Sequence, residues 1–503
     1  MNYKKNLLIS FTIYLILFII LFPKFQYVIN TDAVSYFSIA KKYFNGHFSE
    51  ALNGYFGPLY SWLILPAFIF KVEPVVFARL VNVVFSFMLM VLILRYLQVL
   101  NINSKTFIVA FYYFIIPALL FSFWYITPDY LLLILSMSLI LLSLSEDYLL
   151  NIRTATLSAM LATLLFLTKS FGLVFFLLFQ TIVVFILLRN NQYQKKKILF
   201  NYLLSIVFFF ILISPWIYLL TNKYDEFTIS TSGKINLLII NPELNFRHPS
   251  IESGIVQPSD KYAVSAWDDP DLKSYPQWSP FNSLYDMKYF LSNFLKNISK
   301  FFGMFLLFCP IFFLAIIKVN KSIVKRKDFL IILSALLLNG IIYSFVYVES
   351  RYIWLSLVLF SILTFLLLQG LFDKINLNKL SGKLVIIVIW LSTLIFVYFA
   401  KNSLLTDTRG YNYSQKISQT FNLKGNIATT NHWWLGLYIS YFLDSKFYGE
   451  EKNSILDEKL ISKFKNAGIN YIFDYSQDKK SLEGLKFLTK IDSLSIYRIL
   501  YSE

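Results

Sequence analysis

An acid, a lysine and an arginine, each at the edge of a long apolar run, are the side chains best placed for chemistry. Asp32 lies in Asn30-Thr31-Asp32-Ala33-Val34-Ser35-Tyr36, just past the first apolar run. A carboxylate at the mouth of an apolar bundle can act as a general base on an attacking hydroxyl, or assist a metal ion. The plainer reading is a solvated loop acid. Lys169 sits in Thr168-Lys169-Ser170-Phe171-Gly172, and Arg351 in Glu349-Ser350-Arg351-Tyr352. A charge at a span edge is costly unless paired or wetted. Both therefore either bind an anionic phosphate, Arg351 with its two-pronged fork, or snorkel to headgroups, with Arg351 pairing locally to Glu349. Arg79, in Ala78-Arg79-Leu80, carries the same two readings. Asp129 follows Pro128 at the start of an apolar run. It is a second cavity acid or cation ligand, or an acid favoured by a helix dipole. The histidines, His47, His248 and His432, lack the i, i+4 spacing of helical metal ligands. All three read as surface residues, although His248 lies in a long loop able to approach a cavity. His432-Trp433-Trp434 reads as packing, in side chains whose faces also suit sugar rings.

The elements that must hold these residues follow from composition. The chain has 503 residues, 57% of them hydrophobic, and a mean hydropathy of +0.59. No soluble domain of this size looks like that. The net charge of +17 reads as cytoplasmic anchoring of loops, with attraction to anionic lipid. The basic residues sit in short loops rather than on one soluble face, which argues against nucleic acid as a partner. Cys309 is the one cysteine, so an intrachain disulfide is excluded. Lys4 and Lys5 precede an apolar run too long for a signal peptide, and Leu21-Phe22-Pro23-Lys24 is no cleavage site. This segment reads as an uncleaved first span.

Runs of span length fall at about 6–23, 75–95, 106–123, 129–145, 154–168, 170–188, 198–220, 298–317, 328–347, 352–371 and 383–400. Residues 58–70 are short and contain Pro66. If they do not cross, Arg95, Lys105, Arg153, Arg189, Lys195 to Lys197, Lys318 to Lys327 and Lys374 to Lys383 all fall on the cytoplasmic side. The expectation is an α-helical polytopic membrane protein with eleven spans in the cell (inner) membrane. Its N-terminus is cytoplasmic, and 58–70 is interfacial or re-entrant.

That arrangement puts the loop 24–74, the turns near 128, 169 and 351, and a large loop 221–297 on one outer face. The large loop, with Ala266-Trp267-Asp268-Asp269-Pro270, is expected to be mostly irregular with short helices. From Asp32 onward the pattern predicts an amphipathic helix on the membrane surface, with Lys41 and Lys42 on its wet side and Asn45-Gly46 ending it. The tail alternates strand and helix: strands at 426–430, 469–475 and 494–501, helices at 433–443 and 455–467. The domains are thus 1–400, carrying both outer loops, and a small extracytoplasmic α/β domain at 401–503.

The ordered set Asp32, Tyr36, Ala40, Asn45-Gly46, Gly57-Pro58-Leu59-Tyr60 and Ala78-Arg79-Leu80 resembles the first outer loop of membrane glycosyltransferases with the GT-C fold. Within that fold it is similar to the bacterial, glycosyltransferase family 39-like superfamily of protein mannosyltransferases and aminoarabinose transferases. Leu167-Thr168-Lys169-Ser170-Phe171-Gly172 is similar to its Thr-Lys-Gly-type turn. Ser214-Pro215-Trp216 is similar to a Pro-Trp at a span's outer end, and Glu349-Ser350-Arg351-Tyr352 to the Arg-Tyr turn before a late span. The resemblance covers about 1–400. Aminoarabinose-type enzymes carry an acid–Lys pair before the first-loop proline; here those places hold Phe56 and Gly57, nearer the broad branch of the superfamily.

The resemblance implies transfer of a hexosyl or pentosyl group, with inversion, from a polyprenyl-phosphate donor. The acceptor would be a glycan, lipid (as in lipopolysaccharide) or protein of the envelope. Asp32 would be the base, and Lys169 and Arg351 would hold the donor phosphate. Tyr36, Tyr60, Arg79, Asp129 and Tyr352 would line the cavity. A divalent cation stays open, and no Gly-rich loop suggests a nucleotide sugar. A flippase for polyprenyl lipid or polysaccharide is the rival class. It should show internal repeats and mid-membrane charges, whereas here no repeat is found and the charges gather at one face. An inactive scaffold of the same fold stays open as well.

Overall fold

The computed structural model describes residues 3–190, 194–309 (without 245, 272–274 and 276), 321–374, 379, 387, 391, 407–451, 456–475 and 482–501. The expected span at 383–400 lies outside these, residues 387 and 391 apart, as does the end of 298–317. The chain forms two compact units. One comprises Met1–Pro23, Ala78–Leu219 and Pro280–Leu404; the other comprises Lys24–Phe77, Leu220–Ser279 and Leu405–Glu503.

The first unit is a helical bundle. Among the described residues seven helices are long and apolar enough to cross a membrane: Tyr3–Phe25, Pro74–Val99, Ser104–Trp124, Phe171–Arg189, Lys195–Tyr224, Lys327–Ser344 and Ser350–Phe372. Asp129–Ser143 and Ile152–Thr168 are shorter apolar helices. In hydrocarbon each backbone polar group must be satisfied within its own segment, which is why these runs are helical. The helix expected from 298 begins earlier, at Leu284, because Ser283 caps it by accepting the Asp286 N–H. Its charged first turns hide it from a hydropathy window. Packing is close: a Cβ on Gly340 would lie 2.0 Å from Phe301 Cζ. Inside the bundle the Ser86 and Ser122 hydroxyls are 2.8 Å apart, and Tyr14 and Tyr130 join them.

The second unit is built on a five-stranded sheet. Its strands are β1 (Asn426–Thr429), β2 (Lys446–Glu450), β3 (Tyr471–Asp474), β4 (Leu485–Ile491) and β5 (Leu494–Ile499), in the order β2-β1-β3-β5-β4. β1 is parallel to β2 and β3, while β5 is antiparallel to β3 and β4. Helices Arg409–Thr420 and Trp433–Phe442 cover one face through Ile417, Leu435 and Ile439. Helix Glu458–Asn466 covers the other through Leu460 and Phe464. The expected strands and the last two helices are present; β2, β4 and the Arg409–Thr420 helix are additional.

Helix Thr31–Phe44 differs from its expectation. It is buried from Ala33 to Ala40, and Lys42 is only 1% exposed. Lys42 is covered by the 260–269 stretch rather than by water, whereas Lys41 stays exposed. Lys42 Nζ lies 2.6 Å from Asp260 and 3.9 Å from Asp268. Helix Pro58–Ile69 packs on it: Ser61 donates to the Tyr36 carbonyl at 3.0 Å, and the Tyr36 and Tyr60 rings meet edge to face at 5.2 Å. With 12 residues this helix is about 18 Å long, short of a bilayer core. The loop after Leu220 is mostly irregular, with short helices Ser232–Ile239 and Pro249–Glu252.

Candidate functional site

Asp32 stands in the first turn of Thr31–Phe44, where the helix dipole favours an anion. Its side chain is partly exposed, while Tyr36 and Tyr60 are buried and meet each other edge to face. The group it acts on is His248. The surface reading of that histidine is wrong: it is 5% exposed and lies in an aromatic stack. Its ring is 3.7 Å from Trp267, which in turn stacks on Trp433 at 5.6 Å, and Tyr55 closes the other side at 5.7 Å. Burial drives the imidazole down to about 3, and the Asp32 carboxylate only partly offsets this, so the ring is neutral. The Ser250 N–H donates to Nδ1 at 3.3 Å. The proton therefore rests on Nε2. Among the described residues neither His248 Nε2 nor Trp267 Nε1 has a partner, although both are buried. Buried donors without partners are costly and rare, which marks the place as one that a ligand or water completes.

The loop that supplies these groups is firmly tied. Asn53 donates to the Asp268 carbonyl at 2.6 Å and accepts the N–H groups of Tyr55 and Phe56. Lys223 and Tyr224 hold Asp269 at 2.6 and 2.8 Å. Asp268 is fully buried, and that burial lifts its carboxyl to about 6 in spite of Lys42. Trp267-Asp268-Asp269 thus carries three jobs in three residues. No local sequence signal announces them, since each depends on a distant partner.

The helical unit has its own polar cluster. Lys169 pairs with buried Asp129 at 2.6 Å and lies 4.5 Å over the Tyr352 ring. Asp129 also accepts from Thr127 at 2.7 Å. Arg351 pairs with Glu349 at 2.6 Å, reaches Asp129 at 4.0 Å and stacks over Tyr125 and Tyr352. Sequence reasoning brought these residues to one face; the structure brings Asp129, Lys169, Arg351 and Tyr352 together. It adds Lys300, missed as a lone lysine in an apolar run, whose Nζ donates to the Val348 carbonyl at 2.6 Å. Three cations against two carboxylates leave the cluster one positive charge over, a setting for an anion. Arg79 stands apart from it, 1% exposed and donating to the Ser122 carbonyl at 3.1 Å. Among the described residues no three His, Cys, Asp or Glu side chains converge on one point.

Comparison with solved structures gives a likeness over the whole chain. ArnT from Cupriavidus metallidurans, in its apo state, superposes with a TM-score of 0.55 at 11% identity, covering 97% of each chain. The same protein bound to undecaprenyl phosphate gives 0.54 at 11% identity, over 98% of this chain and 97% of that one. The chain has the GT-C fold. Arabinofuranosyltransferase AftD from Mycobacteria is also similar, at 0.49 and 11% identity, over 99% of this chain and 40% of its own. No family model and no curated protein matches the sequence. With the apolar helices, the GT-C fold makes this a multi-pass membrane protein.

Proposed function

We propose that this chain is a membrane glycosyltransferase moving a sugar from a polyprenyl-phosphate donor to an envelope acceptor on the extracytoplasmic face. The observation that carries the reading is Asp32, a partly exposed carboxylate whose charge acts on His248, a buried ring with an unpartnered Nε2–H, in a chain of GT-C fold. That one GT-C neighbour was solved with undecaprenyl phosphate supports this donor class.

Asp32 takes the acceptor hydroxyl proton as oxygen attacks the anomeric carbon. The bond to the phosphate breaks on the opposite side, so the configuration inverts. His248 donates from Nε2 to a sugar oxygen, and the Trp267–Trp433 faces give the ring a surface. The resemblance implies that Lys169 and Arg351 hold the donor phosphate. To do so Lys169 loosens from Asp129 and Arg351 from Glu349. Their present pairing is what favours the second reading, an inactive scaffold.

The test is transfer of labelled sugar from a panel of polyprenyl-phosphate hexoses and pentoses to extracted envelope acceptors. Wild type is compared with Asp32→Asn at equal folded amount. Transfer by wild type alone supports the assignment. Equal transfer by both removes Asp32 from the mechanism, and none by either favours the scaffold.

A further inference from the structure

The second unit holds a cleft of ≈ 630 Å³ away from the His248 stack. It lies within the usual size range for small-ligand sites. Its walls come from the end of helix Thr31–Phe44, the 261–264 stretch and the turn from helix Trp433–Phe442 into β2. Its charges do not cancel. Lys41 is matched by Asp444 at 2.5 Å, and Lys42 by Asp260. Lys261 and Lys446 make no ion pair among the described residues; Lys261 is engaged by the neighbouring Tyr262 side chain and, more weakly, by Glu50. The remaining acid of the wall, Glu73, accepts from the Tyr441 hydroxyl at 3.1 Å, and burial pushes its carboxyl up. His47 stacks on Tyr262 at 3.6 Å, 12° from parallel, and Lys261 Nζ lies 4.8 Å over the Tyr262 ring, so the flat face left to a ligand is that of His47. Two cations outside any ion pair, next to an aromatic plane and polar side chains such as Asn45, match a charged sugar better than an acyl chain.

We propose that this cleft binds a sugar segment bearing a carboxylate or phosphate, its anion held by Lys261 and Lys446 and its ring laid on the His47 face. Naming that segment the acceptor rests on the transferase reading; the binding itself does not.

The experiment is isothermal titration of the full chain in neutral detergent micelles with tetragalacturonate, and with maltotetraose as the neutral probe. A third arm adds phosphatidylglycerol to the micelles. The expected result is binding of tetragalacturonate at least about tenfold tighter than of maltotetraose. The double variant K261Q/K446Q should lose about tenfold or more while melting like wild type. His47→Ala should weaken both oligosaccharides. Equal affinity for the two probes, an unchanged double variant, or no binding of tetragalacturonate overturns the proposal. So does displacement of tetragalacturonate by phosphatidylglycerol, which makes the occupant a lipid headgroup. A wild type that binds but transfers no sugar keeps the cleft and loses the transferase; transfer without binding does the reverse.

Discussion

Asp268→Asn should make the protein more stable at neutral pH, and the gain should depend on pH in a defined way. Burial lifts the Asp268 carboxyl from an ordinary 3.8 to about 6, against the opposing pull of Lys42, Ser38, Ser35 and the Val264 N–H. In the unfolded chain the group ionises near its ordinary value. Between the two values the unfolded state binds fewer protons than the folded state, so stability falls as pH rises through that window. At about 1.4 kcal/mol per pH unit the loss between pH 4 and pH 7 comes to about 2–3 kcal/mol. For a unit of this size each kcal/mol moves the melting temperature by about 2–4 °C, so the effect is about 5–9 °C. Asparagine keeps an acceptor for the Val264 N–H, which Asp268 holds at 3.1 Å, and does not titrate. Tryptophan-fluorescence melts of both proteins, from pH 4 to pH 7 in one detergent, give the difference curve. Other carboxylates cancel in that difference. The variant's advantage should grow by about 5–9 °C across the range. A flat difference, or one that shrinks as pH rises, refutes the argument that Asp268 is a costly buried charge.

Asp32→Asn should lower sugar transfer by about 10²–10⁴-fold, measured as initial rate with saturating donor. His248→Ala should cut the rate and His248→Gln, which keeps an N–H donor, should recover part of it. Because burial holds that imidazole near 3, the wild-type pH–rate profile should show no histidine inflection around neutrality; one that vanished in His248→Gln would contradict a neutral ring. Lys42→Met strands Asp260 and Asp268 without their counter-charge and should cost about 3–5 kcal/mol, read as a lower melting temperature. Adding Asp260→Asn should restore part of the loss. Gly340→Ala forces a methyl against the Phe301 ring and should cost about 1–3 kcal/mol, seen in melting and in yield of monodisperse protein.

What could be read from the sequence was what local pattern encodes. Apolar runs marked Pro74–Val99, Phe171–Arg189 and Lys327–Ser344, because a bilayer demands length and hydrophobicity of each segment alone. The tail's strand and helix periods gave β1, β3 and β5. β2 was hidden by Gly449, whose φ of 115° suits no ordinary strand residue. β4 is an edge strand, its side chains half exposed and two of them lysines, so it lacks a clean alternation. The same limit governs the site. Asp32 was legible from its place after a span and from the motif order. His248 and Lys42 were not. Both are polar residues in polar segments, and what buries them is the 260–269 stretch, more than two hundred residues from Lys42 along the chain. The Asp129–Lys169–Arg351 cluster was legible as a set of span edges, whereas its pairing pattern was not.

The second unit is stitched from three stretches of chain that are made at very different times. Helix Thr31–Phe44 leaves the ribosome early, yet Phe37 packs against Tyr441 and Lys41 pairs with Asp444. At about 5–20 residues per second the helix waits about 20–80 s for those partners. Throughout that interval the flank that Phe37 turns to Tyr441 is uncovered, although helix Pro58–Ile69 already packs on the Tyr36 side. The segment bearing the acid is thus among the first parts synthesised and the last to be finished. A chain interrupted before residue 441 leaves that apolar flank open, the kind of surface that proteases and chaperones recognise. Completion of the tail is therefore a checkpoint on assembly, and lesions in the tail should show up first as a shortage of protein rather than as slow turnover.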